Sequence, residues 1–118
     1  MTWGEVELEP EVRDWILGLA QDGQETVAFY VDLLETRGVL LGEPHTRQLD
    51  GKLRELRFHL VELDMRVTYW IAPGRRIILL TVFRKTRMRE AAEVDRAKRA
   101  MRRCMAEQHT LDEEERTA

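Results

Sequence analysis

One cysteine, Cys104, stands among 118 residues, so no internal disulfide can staple the chain and its stability has to come from packing. Histidines are nearly as scarce, at positions 45, 59 and 109, a spacing unsuited to zinc, and neither a metal nor a cofactor is implied. His45 reads as a loop residue and His109 as part of the C-terminal tail, neither with a chemical role. There is no glycine-rich phosphate loop, no serine in a nucleophile elbow and no Cys/His pair, which removes the commonest nucleotide-binding and nucleophilic-hydrolase classes. No apolar run approaches the roughly 20 residues of a membrane span. The first residues, Met1-Thr2-Trp3-Gly4-Glu5, lack a basic stretch followed by an apolar one, so the expectation is a cytoplasmic protein with no membrane partner.

What the chain has is charge, unevenly placed. Residues 1–44 carry 2 Lys/Arg against 10 Asp/Glu, residues 45–103 carry 16 against 7, and residues 104–118 carry 1 against 5. The overall charge of −3 is therefore the average of an acidic start, a strongly basic middle and an acidic end. Such a middle can hold a polyanion locally, which makes nucleic acid a candidate partner, although balanced charges on a solvated surface would give the same count.

Periodicity divides the chain into three regimes. Val12, Trp15, Ile16 and Leu19 fall at i, i+3, i+4 and i+7 behind Pro10, and the same spacing recurs at Val27, Tyr30, Val31 and Leu34 before Gly38, predicting two consecutive helices that pair as a hairpin. Residues 39–51 read as a loop, on Gly42, Pro44, Asp50 and Gly51. Residues 52–85 alternate with a period of two. One parity gives Leu56, Phe58, Leu60, Met65, Val67, Tyr69, Ile71, Ile78, Leu80 and Val82, a core face. The other gives Arg57, His59, Arg66, Thr68, Trp70, Ile77, Leu79, Thr81, Phe83 and Lys85, a mixed cationic face. With turns at 61–64 and at Pro73-Gly74, a three-stranded antiparallel meander follows, in which Arg57 lies near Thr68, His59 near Arg66 and Arg66 near Thr81. Helical spacing returns at Val94, Ala97, Met101 and Cys104, a basic C-terminal helix with Cys104 as a small core residue. A short strand at 3–8 is a weaker signal. The expectation is thus a single α+β domain over residues 1–106, followed by an acidic disordered tail over 107–118.

Arg57 and Arg66 are the residues in this pattern with chemical potential. A guanidinium offers phosphate two parallel donors and a charge that does not titrate, as metal-free RNA cleavage requires: a base takes the ribose 2′-hydroxyl proton while cations stabilise the phosphorane. The plainer reading is that both arginines solvate an open sheet face or pair with Glu55 or Glu62.

The segments Gly51-Lys-Leu-Arg-Glu-Leu-Arg57, Arg66-Val-Thr-Tyr-Trp-Ile71, Pro73-Gly-Arg-Arg76 and Ile78-Leu-Leu-Thr-Val-Phe-Arg-Lys-Thr86 together resemble the RelE/ParE superfamily of toxins, in its HigB-like, phage-derived branch. The resemblance implies two N-terminal helices packed on a small antiparallel sheet. It implies a type II toxin that cleaves messenger RNA in the ribosomal A site and is silenced by a cognate antitoxin, expected to carry a helix-turn-helix DNA-binding module. On this mapping Arg66 is the main stabiliser of phosphorane charge, Arg57 its companion and Lys85, the lysine of Phe-x-Lys, the proton-transfer residue. His59, Arg84, Arg87 and Arg89 would hold the RNA backbone. A gyrase-inhibiting protein of the ParE type, or a catalytically inactive RNA-binding relative, would share the same fold.

Overall fold

In the computed structural model, which describes residues 1–88 and 90–117 and side chains through Gln108, the two apolar stripes become α1 (Pro10–Leu17) and α2 (Gln21–Arg37). Pro10 occupies the first turn of α1, where its missing N–H costs nothing, and a three-residue link leads into α2. The five strands are β1 (Glu5–Leu8), β2 (Thr46–Asp50), β3 (Leu53–Leu60), β4 (Leu63–Ala72) and β5 (Arg76–Arg84), and α3 (Glu90–Thr117) follows them. The segment expected as a disordered tail thus falls within the span of α3 as far as Thr117.

The sheet has the order β1-β5-β4-β3-β2, antiparallel except for β1, which runs parallel to β5. The α+β architecture with its helical hairpin is as expected, and the meander β3-β4-β5 is its centre. It is not the whole sheet: the weak strand signal near the N-terminus is real, and five residues expected to be loop form β2. Thr46-Arg-Gln-Leu-Asp50 has almost no alternation because an edge strand with mostly exposed side chains has little to bury; its ladder to β3 holds it instead.

Both faces of the sheet are covered, which overturns the expectation of one open face. Leu56, Phe58, Leu60, Met65, Val67, Tyr69, Ile77 and Leu79 pack beneath the hairpin with Val12, Val27 and Leu34. On the other face Leu53, Trp70, Ala72, Ile78 and Leu80 pack against Ala97, Ala100 and Cys104 of α3, where the Trp70 indole N–H donates to the Cys104 sulfur at 3.4 Å. Burial pushes the Cys104 thiol above its usual pKa, outweighing the Trp70 hydrogen bond, which lowers it, in keeping with a packing role for Cys104.

The parity of β5 therefore needs correcting. Ile77 and Leu79, expected on the cationic face, lie under the hairpin, and Ile78 and Leu80, expected on the core face beneath the hairpin, lie under α3. Val82 nevertheless packs on the hairpin side. A bulge explains the switch: Thr68 faces Thr81 but Tyr69 faces Leu79, so one extra residue of β5 reverses its parity from there on. The register of the meander also differs from the expected one by two residues. Leu60 pairs with Leu63 across a two-residue turn, not a four-residue one, which sets Arg57 opposite Arg66 and His59 opposite Asp64, while the turn that pairs Ala72 with Arg76 and the bulge in β5 together set Arg66 opposite Phe83. A two-residue slip preserves the faces, so Arg57 and Arg66 still share one.

Candidate anion site at the β3–β4 arginines

Arg57 and Arg66 project from directly opposed positions of β3 and β4. Two guanidiniums so placed repel, and two carboxylates hold them together. Glu55, two residues before Arg57 on the same face, sets its Oε1 3.6 Å from Arg66 Nε and 4.0 Å from Arg57 Nε. Asp64 accepts from Arg66 Nη1 at 2.5 Å and from Nη2 at 3.4 Å, and Arg66 Nη1 also donates to the Met65 carbonyl at 3.0 Å. The pairing with Glu55 that the plainer reading anticipated is present.

Arg66 is not solvated: its side chain is 3% exposed and that of Glu55 1%. The period-two pattern could not reveal this, because burial here comes from the neighbouring strands, from Glu55 and Arg57 of β3 and Phe83 of β5. Burial pushes the Glu55 carboxyl above the usual carboxylate range; the charges of Arg66 and Arg57 oppose this, and Glu90, at the start of α3, adds to it. Asp64 behaves in the opposite way. Partial desolvation works against its charged form, but the hydrogen bond and charge of Arg66, aided by His59 and Lys85, bring its pKa below the usual value. Glu55 Oε2, Arg57 Nε and Arg66 Nε are buried without a hydrogen-bond partner among the described residues, which marks a cluster whose donor capacity is not used up.

A cleft of about 360 Å³ opens onto these groups, lined by Tyr30, Pro44, His45, Arg57, Phe58, His59, Asp64 and Arg66. Tyr30 stacks on Phe58 with ring centroids 5.1 Å apart and lies 6.2 Å from His45. The His45 carbonyl accepts from the Arg57 N–H at 2.8 Å, fixing the cleft wall to β3. An anion would meet arginine donors at one end of this cleft, and a flat ring would meet aromatic surface at the other.

Of the residues singled out from the sequence, Arg57, Arg66 and His59 share this cleft. His59 is 77% exposed, its Nδ1 4.0 Å from Asp64 Oδ1. Lys85 lies just past β5, half-buried; its N–H donates to the Asp64 carbonyl at 2.8 Å, and it does not line the cleft. Arg84 faces Met65 and so emerges on the hairpin side of the sheet, away from Arg66. Arg87 is exposed between β5 and α3, and Arg89 lies outside the described residues. Asp64, Tyr30 and His45 carry no signal of a role in the site along the chain. Asp64 sits in a turn, Tyr30 reads as part of a core stripe, and His45 occupies a loop; only the fold brings them together. Among the described residues no group of three or more His, Cys, Asp or Glu is placed to hold a metal ion, and no helix is long and apolar enough to cross a membrane.

The Glu55 environment makes a pH prediction. A carboxyl whose folded pKa is raised contributes most to stability below its unfolded pKa, and that contribution is lost as pH rises through the folded value. Urea denaturation of the parent and of Glu55→Gln at several pH values should show the parent gaining stability relative to the variant as pH is lowered from neutrality to below about 4.3, the unperturbed glutamate value. A difference independent of pH would contradict the raised pKa.

Comparison with known proteins adds two findings. The family model described as phage-derived protein Gp49-like matches residues 14–104, most of the chain. Among solved structures, a free-state mutant of the E. coli toxin RelE is similar at a TM-score of 0.60 and 12% identity, over 87% of this chain and 98% of that one, a likeness of fold. No curated protein sequence matches.

Proposed function

The chain belongs to the family of phage-derived Gp49-like proteins and has the fold of the RelE-type toxins, and from this we propose that it is the toxin of a type II toxin–antitoxin system, a metal-independent endoribonuclease acting on messenger RNA in the ribosomal A site. The observation that carries the reading is the pair Arg57 and Arg66, opposed across two strands at the end of a cleft with an aromatic wall. In the reaction the ribose 2′-oxygen, losing its proton to a base, forms a bond to the adjacent phosphorus. The bond from phosphorus to the 5′-oxygen breaks, and that oxygen takes up a proton. Arg66 and Arg57 supply donors to the non-bridging oxygens, where charge builds in the transition state. Lys85 does not line the cleft, but its charge acts on the carboxyl of Asp64, which does, and it is assigned the proton transfer. Tyr30 and His45 offer a surface on which a base can stack. A cognate antitoxin with a helix-turn-helix module silences the protein in the cytoplasm of its host.

Inducing the chain in a bacterium and mapping new RNA 5′ ends tests this. Cleavage inside translated codons is the expected result. An SOS response with intact RNA would indicate a gyrase-directed activity instead, and undisturbed growth a catalytically inactive relative. In the same assay Arg66→Lys, which keeps the charge and loses the planar fork, should cut the yield of new ends by at least about tenfold.

A further inference from the structure

The arginine pair is not cationic as it stands. Two guanidiniums face two carboxylates, and Asp64, which lines the cleft together with Arg57 and Arg66, occupies the Arg66 fork, with distances of 2.5 and 3.4 Å to Nη1 and Nη2. The two carboxylates differ in freedom. Glu55 is 1% exposed, held within β3 beneath its neighbours, whereas Asp64 is 40% exposed, at the start of β4 beside the exposed turn at Val61 and Glu62. Glu55 is closed off from water, whereas Asp64 borders it, with exposed His59 4.0 Å from its Oδ1.

We propose that Asp64 is a displaceable lock on an anion site: its carboxylate occupies the place of a substrate phosphate on Arg66, and a phosphodiester binds by exchanging with it. The inference rests on the reading of the cleft as an RNA phosphate site. It explains why a buried guanidinium is paired with one buried carboxylate and one that borders water, and why Arg57 and Arg66 keep buried Nε–H groups without hydrogen-bond partners among the described residues. An incoming phosphodiester matches the two carboxylate oxygens of the aspartate with its two non-bridging oxygens and adds two weaker ester acceptors. A carboxylate lock also discriminates: a weakly held anion fails to displace Asp64, whereas a phosphodiester with a base against Tyr30 and His45 does so.

The test compares the parent with Asp64→Asn, using inorganic phosphate and a short oligoribonucleotide as probes, with thermal melting as a check on folding. The asparagine retains the shape of the side chain without its charge, so both probes should bind at least about tenfold more tightly, since a charge-assisted hydrogen bond no longer has to be broken. Arg66→Lys added to Asp64→Asn should remove the gain. Unchanged or weaker binding by the folded variant would overturn the proposal and make Asp64 a positioning residue that merely orients Arg66. A second measurement needs no variant: in the parent, saturating phosphate should shift the carbon-13 resonance of the Asp64 carboxyl, and a resonance that stays in place would overturn the lock. Ribosome assays separate the two readings. Tighter binding by Asp64→Asn with no cleavage by either protein would leave the lock standing and remove the endonuclease; cleavage by the parent with unaltered anion affinity in the variant would do the reverse.

Discussion

Arg66→Ala should lower stability by about 3–5 kcal/mol, the usual cost of removing one partner from a buried ion pair, and should slow RNA cleavage steeply as well. The cost is not in the lost attraction. With the guanidinium gone, Glu55, at 1% exposure, keeps Arg57 at 4.0 Å as its ion-pair partner among the described residues, and its unpartnered Oε2 remains buried. A solvated arginine would have left the fold untouched, so urea denaturation distinguishes the two placements directly. A loss below about 1 kcal/mol would mean that Arg66 stands in water. Because the alanine variant confounds folding with catalysis, its cleavage has to be measured on protein shown to be folded. There, the loss of a donor to the developing charge should remove roughly 2.7–4 kcal/mol of transition-state stabilisation, a rate loss of about 10²–10³.

Gly38→Ala should be comparably severe, for a backbone reason. Gly38 ends α2 at φ 51° and ψ −122°, a region closed to residues with a Cβ. Its N–H donates to the Leu34 carbonyl, so the conformation is part of the helix stop. A Cβ placed there would overlap the ring of Trp3, which cannot easily retreat: its backbone N–H donates to the Glu35 carbonyl at 2.9 Å, and Arg75 lies 5.1 Å from its ring centroid. Strain of about 1–3 kcal/mol for the dihedral alone, with the steric overlap added, should lower the melting temperature by at least about 4 °C and loosen the N-terminal strand. Gly42→Ala, where a Cβ meets nothing within 4 Å, is the control and should melt like the parent.

The helical hairpin, the strand-rich middle and the C-terminal helix were legible because each imprints its own period on the residues that build it. Val12, Trp15 and Ile16 can share a face only on a helix, and Leu56, Phe58 and Leu60 only on a strand. Placing Arg57 and Arg66 on one face followed from the same rule and survived a two-residue error in register. The second core was also written in the sequence, in Trp70 on the supposedly open face and in the run Ile77-Ile78-Leu79-Leu80, which is apolar at both parities as a strand buried on both sides requires. Local period determined which side each residue of β3 and β4 takes. It did not determine what lies across from that side. The bulge in β5, the parallel β1, the edge strand β2 and the burial of Arg66 depend on contacts between residues far apart along the chain. Carboxylates from neighbouring strand positions, a tyrosine of α2 and a histidine of a loop meet at two arginines only once the sheet has closed between its helices, because charge pairing and burial act through space and leave no period in the chain.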